Sequence, residues 1–177
     1  MIELVHPADD SGCAFGAHLQ SDEDTLAAGA ALAPALRAGL VIYLIGDLGA
    51  GKTTLVRGVL RALGYGEKVK SPTYTLIEPY IVSRLHLYHF DFYRFTAPEE
   101  FLDAGLDEYY SGEGVCMVEW PDKAAPYLAA ADVEVNLTVE GAGRLLELTA
   151  RTEAGRLCAN DMKANLERHL NRPCPPG

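Results

Sequence analysis

The spacing of apolar residues divides the first half of the chain into a helix, a strand and a second helix. Residues 21–37 start with Ser21, a frequent helix cap, and predict a helix with Pro34 near its end. Residues 40–45 form a continuous apolar run, which is typical of a buried strand. Residues 52–63 carry apolar side chains at helical spacing and predict the helix that follows this strand.

Strand-like periodicity dominates the second half of the chain. Residues 73–82 and 84–89 are rich in Tyr, Ile, Leu and Thr, and they predict two antiparallel strands joined at Ser83. Residues 133–139 alternate strictly between apolar and polar, and with residues 145–150 they predict a hairpin whose turn contains Gly141 and Gly143. Further predicted elements are a short helix at 98–102, a buried strand at 115–118 and a helix at 156–170.

The loop between the apolar strand and its helix reads GDLGAGKTT over residues 46–54. It fits the pattern Gly-x-x-x-x-Gly-Lys-[Ser/Thr], in which backbone N–H groups surround phosphate oxygens and the Thr hydroxyl meets a magnesium ion. The helix N-terminus favours the same anion. A glycine-rich turn that serves chain reversal alone is the alternative, and the strand, loop and helix order disfavours it. The predicted phosphate-binding residues are Gly49, Ala50, Gly51, Lys52, Thr53 and Thr54.

These elements together predict an α/β fold. We expect a three-layer P-loop NTPase-like domain with a mixed sheet, parallel around the nucleotide site and extended by antiparallel strands. By length, the 177 residues fit one domain, which we assign to residues 1–170 and follow with a mobile tail at 171–177.

Composition narrows the possible partners and compartment. The net charge of -10 argues against a free-standing nucleic-acid binder, so we expect no DNA partner. The N-terminus lacks the pattern of a signal peptide, and the apolar stretch 26–45 is interrupted by polar and helix-breaking residues, so no membrane span is expected. The cysteine spacing matches no zinc or redox site and predicts reduced thiols in a cytoplasmic protein: Cys13, Cys116, Cys158 and Cys174.

Two carboxylates stand where predicted strands end. Asp91 follows the apolar run 85–90, and Glu119 follows the strand at 115–118 as a Walker B carboxylate would. Hydrolysis needs a carboxylate that completes the metal shell and a group that orients water, and parallel strands open into one crevice. Either acid alone could be a solvated strand end, but two in this order favour function. Which of them positions the water stays open.

Four residues whose side chains can support catalysis lie within one short segment: His89, Asp91, Tyr93 and Arg94. In an extended segment His89 shares a face with Asp91. Arg94 either stabilises charge on a transferring phosphoryl group or forms a salt bridge with Glu99 or Glu100, and the sequence favours neither.

Three further residues are predicted to lie near the site. Ser71 and Thr73 stand in the loop after the first crossover helix, where they form either a switch-like contact to phosphate or an ordinary turn. Trp120 adjoins Glu119 and is expected to act as a packing wall.

In order and spacing, these motifs resemble the TsaE family, also called YjeE, of small P-loop ATPases in bacterial tRNA threonylcarbamoyladenosine biosynthesis. The resemblance spans roughly residues 21–150. The motifs that carry it are GDLGAGKTT at 46–54, SPTYT at 71–75, YHFDFYR at 88–94, GLDEY at 105–109 and VEWPDK at 118–123.

The resemblance implies roles for individual residues. It implies that Mg²⁺ with ATP is bound, that Thr53 and Glu119 hold the metal, and that Lys52 and the loop backbone hold the phosphates. Lys52, Asp91 and Glu119 are then the catalytic residues. It also suggests an adenine pocket formed by Asp22, Thr25 and Gly143.

The resemblance further implies an accessory ATPase with weak intrinsic turnover. Such a protein acts with TsaB and TsaD, which transfer a threonylcarbamoyl group made by TsaC onto a tRNA adenosine, and its hydrolysis resets that complex. It would meet tRNA only indirectly. Two alternatives remain: a small-molecule kinase, although no Arg-rich lid is visible, and a switch protein in which nucleotide binding rather than turnover matters.

Overall fold

A mixed β-sheet forms the centre of the fold. The computed structural model describes residues 1–5 and 13–172, and in these residues the sheet has eight strands in the spatial order 1-2-8-7-3-6-5-4. In chain order the strands are β1 (Glu3–Val5), β2 (Cys13–Leu19), β3 (Val41–Ile45), β4 (Ile77–Val82), β5 (Leu85–Asp91), β6 (Val115–Glu119), β7 (Val133–Glu140) and β8 (Gly143–Ala150).

Parallel pairing is concentrated in the middle of the sheet. β3 pairs in parallel with β6 and β7, and β5 pairs in parallel with β6. Antiparallel pairs extend the sheet to both edges: β4 with β5 on one side, and β7, β8, β2 and β1 on the other. The predicted α/β class with a mixed sheet is therefore confirmed.

The helices are α1 (Asp22–Leu32), α2 (Lys52–Ala62), α3 (Glu100–Asp103) and α4 (Glu153–Leu170). Ser21 caps α1 as predicted, because its hydroxyl accepts from the N–H of Asp24 at 3.2 Å. The helix ends earlier than residue 37, since a short 3₁₀ helix, Ala33–Ala35, takes over around Pro34. α4 begins at Glu153 rather than 156, where the Thr152 hydroxyl caps its first turn.

Two predicted strand boundaries were wrong. The first strand of the 73–89 region starts at Ile77, because residues 73–76 form a turn that closes with a hydrogen bond from the Leu76 N–H to Pro72. Gly143 belongs to β8 and pairs with Glu140, so it is not a turn residue. Gly141, with a φ of 59°, supplies the left-handed conformation of the turn.

Side chains of the central strands alternate between two apolar clusters. Ile42 and Leu44 of β3 belong to a large cluster that includes the buried faces of α1, α2 and α4. Val41 belongs to a second cluster with Phe101 of α3 and the aromatic side chains that follow β5. Helical segments thus cover both faces of the sheet, which fits the predicted layered architecture.

Glycines allow α1 and α2 to approach closely. A Cβ atom added at Gly58 would lie 2.2 Å from the backbone oxygen of Leu26, and one at Gly29 would lie 2.2 Å from that of Leu55. Both obstacles are backbone atoms, so they cannot swing away. The position of α2, which carries the phosphate loop at its N-terminus, therefore depends on these two residues.

We predict that Gly58→Ala lowers the free energy of unfolding by about 1–3 kcal/mol, because the added methyl group pushes α1 away from α2. Alanine normally stabilises a helix interior relative to glycine, so the expected sign is the reverse of helix propensity. Urea denaturation measures the effect. A variant as stable as the parent would show that the helices separate at little cost.

The sequence also led to predictions about membrane spans, the cysteines and the C-terminal tail. Within the described ranges, no helix is long and apolar enough to cross a membrane. Cys116 and Cys158 are buried free thiols, and burial raises the pKa of these groups to about 12 and about 11. Cys174, the side chain of Cys13 and most of the predicted tail, residues 173–177, lie outside the described residues.

Candidate functional site

The loop from β3 to α2 forms one wall of a cavity of ≈ 270 Å³ at the carboxyl edge of the parallel strands. Gly49 and Gly51 adopt φ angles of 81° and 107°, which favour glycine. No side chain of the described residues caps the start of α2, so its first N–H groups are available to a phosphate. The lining residues are Asp22, Leu48, Gly49, Ala50, Gly51, Lys52, Thr53, Thr54, Ser71, Thr73, Asp91, Tyr93, Glu119, Trp120 and Arg144.

Lys52 is buried and folds back over the loop. Its Nζ atom donates hydrogen bonds to the backbone oxygens of Gly46 and Asp47 and lies 4.5 Å from the centre of the Trp120 ring. Burial lowers the pKa of Lys52, although nearby carboxylates, Glu119 foremost, act in the opposite direction. The ammonium group is thus held against neutral partners, which a phosphate would replace with a charged one.

A hydrogen-bonded line joins α2, β6 and β5. The Oε1 atom of Glu119 accepts from the Thr53 hydroxyl at 2.8 Å and from Nε2 of His89 at 3.1 Å. Since a carboxylate only accepts, Nε2 carries the ring proton, while Nδ1 is buried with no partner among the described residues. Burial by itself favours a higher pKa for Glu119, but the bonds from His89 and Thr53 and the Lys52 charge outweigh it and lower the pKa.

Asp91 lies beside Glu119 on the neighbouring strand. One carboxylate oxygen accepts from the N–H of Tyr93 at 2.9 Å, and the other accepts from the Thr73 hydroxyl at 3.3 Å. Thr73 is in turn 2.8 Å from the hydroxyl of Ser71. Burial raises the pKa of Asp91; the Tyr93 hydrogen bond only partly offsets this, and the Glu119 charge adds to it. The two carboxyl groups therefore differ: Glu119 favours the anion, and Asp91 binds a proton more readily.

The oxygen atoms of Thr53 and Glu119 suit magnesium. Mg²⁺ is usually held by one or two carboxylates together with substrate phosphates rather than by a complete protein cage. Consistent with that chemistry, no group of three or more His, Cys, Asp or Glu side chains in residues 1–5 and 13–172 is arranged to hold a metal by itself. The hydroxyl and the carboxylate fit an ion that arrives with a nucleotide.

The predicted adenine pocket is only partly brought together. Asp22 lines the cavity, but Thr25 does not: it is fully buried, and its hydroxyl donates to the Ser21 backbone oxygen. Gly143 does not line the cavity either, and a Cβ atom added there would lie 2.5 Å from the backbone oxygen of Leu19. Its neighbour Arg144, which no sequence pattern indicated, does line the cavity.

Trp120 and Tyr93 line the cavity, whereas Arg94 does not. Trp120 has a φ of 57°, which turns the chain after β6 and places its ring 5.1 Å from that of Tyr93, and both line the cavity. Arg94 instead stacks on Tyr74 at 4.3 Å. In the described part of the chain it forms no ion pair with Glu99 or Glu100 and does not line the cavity.

Comparison with known proteins assigns the chain and its fold to a family. The family model described as "Threonylcarbamoyl adenosine biosynthesis protein TsaE" matches residues 19–146. The chain belongs to the TsaE family. The resemblance inferred from the motifs is thereby confirmed.

Individual TsaE proteins and one solved structure resemble this chain over much of its length. The tRNA threonylcarbamoyladenosine biosynthesis protein TsaE of Haemophilus influenzae is 44% identical over 117 residues, which are 66% of this chain and 74% of that protein. The protein of the same name from a Nostoc species is 43% identical over 136 residues, 74% of this chain and 83% of that protein. The crystal structure of Bacillus subtilis YdiB matches with a TM-score of 0.73 and 29% identity, over 97% of this chain and 99% of that one.

Arg144 is the main cavity residue of this TsaE-family protein that sequence reasoning missed. It stands at the start of a strand in a hairpin distant in sequence from the phosphate loop. The predicted strand began at residue 145, one position after Arg144, and no sequence pattern indicates that this strand approaches the loop. A search for arginines near the ends of predicted strands would have found it, together with others that lie elsewhere.

We predict that His89→Leu lowers the free energy of unfolding by about 1–3 kcal/mol, because buried Glu119 loses a hydrogen-bond donor. His89→Gln is the matched control, since its side-chain amide can donate from a similar position, and it should lose less. Urea denaturation of both variants measures the difference. Equal losses would show that the hydrogen bond to Glu119 does not contribute.

Proposed function

We propose that this TsaE-family protein binds ATP with Mg²⁺ and hydrolyses it slowly, as an accessory step in the threonylcarbamoyl modification of adenosine in tRNA. One observation carries the proposal. The phosphate loop, the Thr53–Glu119 pair and Asp91 line a single cavity at the carboxyl edge of β3, β5 and β6. Phosphoryl transfer depends on positioning and charge stabilisation, and these groups supply both.

In this proposal each residue has a separate role in binding or hydrolysis, which follows from its charge and position. Lys52 and the N–H groups at the start of α2 hold the phosphates, and Thr53 with Glu119 holds Mg²⁺. Bound Mg²⁺ neutralises charge on the phosphate oxygens. We assign Asp91 to orienting the attacking water, because it lies beside Glu119 and lines the same cavity, whereas Glu119 is the carboxylate that bonds to Thr53. Glu119, with its lowered pKa, remains the metal-binding anion.

Slow turnover is expected because, among the described residues, no arginine lines the side of the cavity that carries Glu119 and Asp91. Lys52 is close to Glu119, whereas Arg94 is stacked on Tyr74 outside the cavity. An arginine that stabilises transition-state charge raises phosphoryl-transfer rates by about 10³–10⁵-fold, and partners often supply it. We therefore propose that homologues of TsaB and TsaD complete the site, and that hydrolysis resets their complex.

The proposed location is the cytoplasm, with tRNA contacted through the partners. The net charge of -10 supports this division, because direct binding to a phosphate backbone requires clustered positive charge.

The test is to mix the chain with homologous TsaB and TsaD in ATP or ADP and to measure co-elution and phosphate release. We expect a complex that depends on the nucleotide and hydrolysis that is faster in the complex than in the isolated chain. Fast hydrolysis by the isolated chain that does not change when TsaB and TsaD are added would contradict the accessory role.

A nucleotide-dependent switch is the second candidate, and the chain of contacts from Ser71 through Thr73 to Asp91 favours it. These hydrogen bonds connect an exposed loop to the carboxylate beside the phosphate site, so a terminal phosphate could reorganise the loop. Nucleotide exchange without phosphate release, even with both partners present, would select the switch over the ATPase.

A further inference from the structure

Arg144 approaches the phosphate loop from the side opposite the catalytic carboxylates. In the sheet, β8 and β7 lie on one side of β3, whereas β6 and β5, which carry Glu119 and Asp91, lie on the other. Arg144 stands at the start of β8 and lines the same cavity as these two carboxylates. The cavity therefore has an acidic, metal-binding side and a side with a cation.

The Arg144 guanidinium group is largely buried and incompletely paired. Its side chain is 13% exposed, and Nη2 donates to Asp22 at 2.8 Å, while the Asp22 side chain is 69% exposed. The Nε atom is buried and has no partner within residues 1–5 and 13–172. A buried donor without an acceptor is costly, and a largely exposed carboxylate is a weak partner. The group therefore has capacity for another anion.

Contact with Gly51 places the guanidinium group directly on the phosphate loop. A Cβ atom added at Gly51 would lie 2.2 Å from Nη1 of Arg144. Gly51 immediately precedes α2, whose first N–H groups are the expected phosphate donors. The planar guanidinium fork matches the geometry of phosphate oxygens.

We propose that Arg144 binds the phosphate next to the ribose of the nucleotide, and that Asp22 holds it in place from the solvent side. The proposal rests on the proposed function, since it assumes that the cavity takes ATP. Glu119 and Asp91 occupy the side of the metal and the terminal phosphate, so Arg144 meets the phosphate at the other end. This phosphate is common to ATP and ADP.

Isothermal titration of ADP and ATP with Mg²⁺ tests the proposal. Arg144→Met should weaken binding of both nucleotides by the same factor, about tenfold, because each loses one charge-assisted contact. Arg144→Lys keeps the charge but not the fork, so it should lose less. Arg151→Met is the matched control: Arg151 follows β8, pairs with Glu134 at 2.7 Å and does not line the cavity, so affinity should not change.

The outcomes separate this inference from the proposed function. If the parent binds ADP and Arg144→Met binds it equally well, the inference fails and the proposed function stands. A loss confined to ATP would place Arg144 at the terminal phosphate and overturn the inference. If the parent binds neither nucleotide, both fail. Thermal melts check folding, and Arg144→Lys carries the test should the methionine variant not fold.

Discussion

A Glu119→Gln variant is expected to bind ATP nearly as well as the parent while its phosphate release falls about a hundredfold or more, equivalent to about 3 kcal/mol of lost transition-state stabilisation. Glutamine keeps the size of the side chain and an oxygen that can accept from Thr53 and His89, but it removes the negative charge that we propose binds the metal. Nucleotide affinity depends mainly on Lys52 and the loop backbone, so most of it should remain. Glu119→Ala should likewise retain much of the binding and lose turnover.

The measurement is phosphate release at saturating ATP, with affinity determined separately by titration. Asp122→Asn is a suitable control because Asp122 is an exposed acid three positions along the chain that does not line the cavity. Its turnover should equal that of the parent. Full activity of Glu119→Gln would remove Glu119 from the mechanism.

Lys52→Ala is expected to weaken binding of ATP and ADP about a hundredfold, equivalent to about 3 kcal/mol. The ammonium group is buried against backbone carbonyls at the phosphate loop and has no charged partner within hydrogen-bonding distance in the described residues. A phosphate would satisfy it with charge-assisted hydrogen bonds, and alanine cannot replace them.

Titration calorimetry measures this loss, and Lys68→Ala provides the control because Lys68 is exposed and does not line the cavity. A thermal melt of Lys52→Ala establishes that the variant is folded. Undiminished affinity in a folded variant would show that the nucleotide does not occupy the loop, and it would remove the basis of the proposed function.

Local patterns in the sequence were sufficient for the central elements of the fold. The apolar strand, the GDLGAGKTT loop and the helix at 52–63 are contiguous, and the structure has β3 and α2 in those positions. Asp91 and Glu119 were selected because each ends an apolar run, and parallel pairing of β5 with β6 brings them side by side. His89 lies on the same face of β5 as Asp91, because side chains two positions apart along a strand point to the same face.

Elements that depend on distant pairing were not found. β1 is short, and β2 contains Gly16 and lies at the outer side of the sheet, where it pairs with β8 more than a hundred residues away. Similarly, residues 73–76 have strand-like composition but form a turn, in which the Thr73 hydroxyl bonds to Asp91 of β5. Propensity reports the preference of each residue, whereas pairing depends on which backbone lies alongside.

By itself, the sequence determined that this protein has a GDLGAGKTT loop on an α/β core that is parallel at its centre, with two acids at the same edge. It could do so because a loop motif and strand periodicity are local properties of the chain. The tertiary structure alone decided that His89 bonds to Glu119, that Thr25 is buried outside the cavity lining and that Arg144 reaches Gly51. These contacts join separate elements, so their geometry exists only after the sheet and helices have packed together.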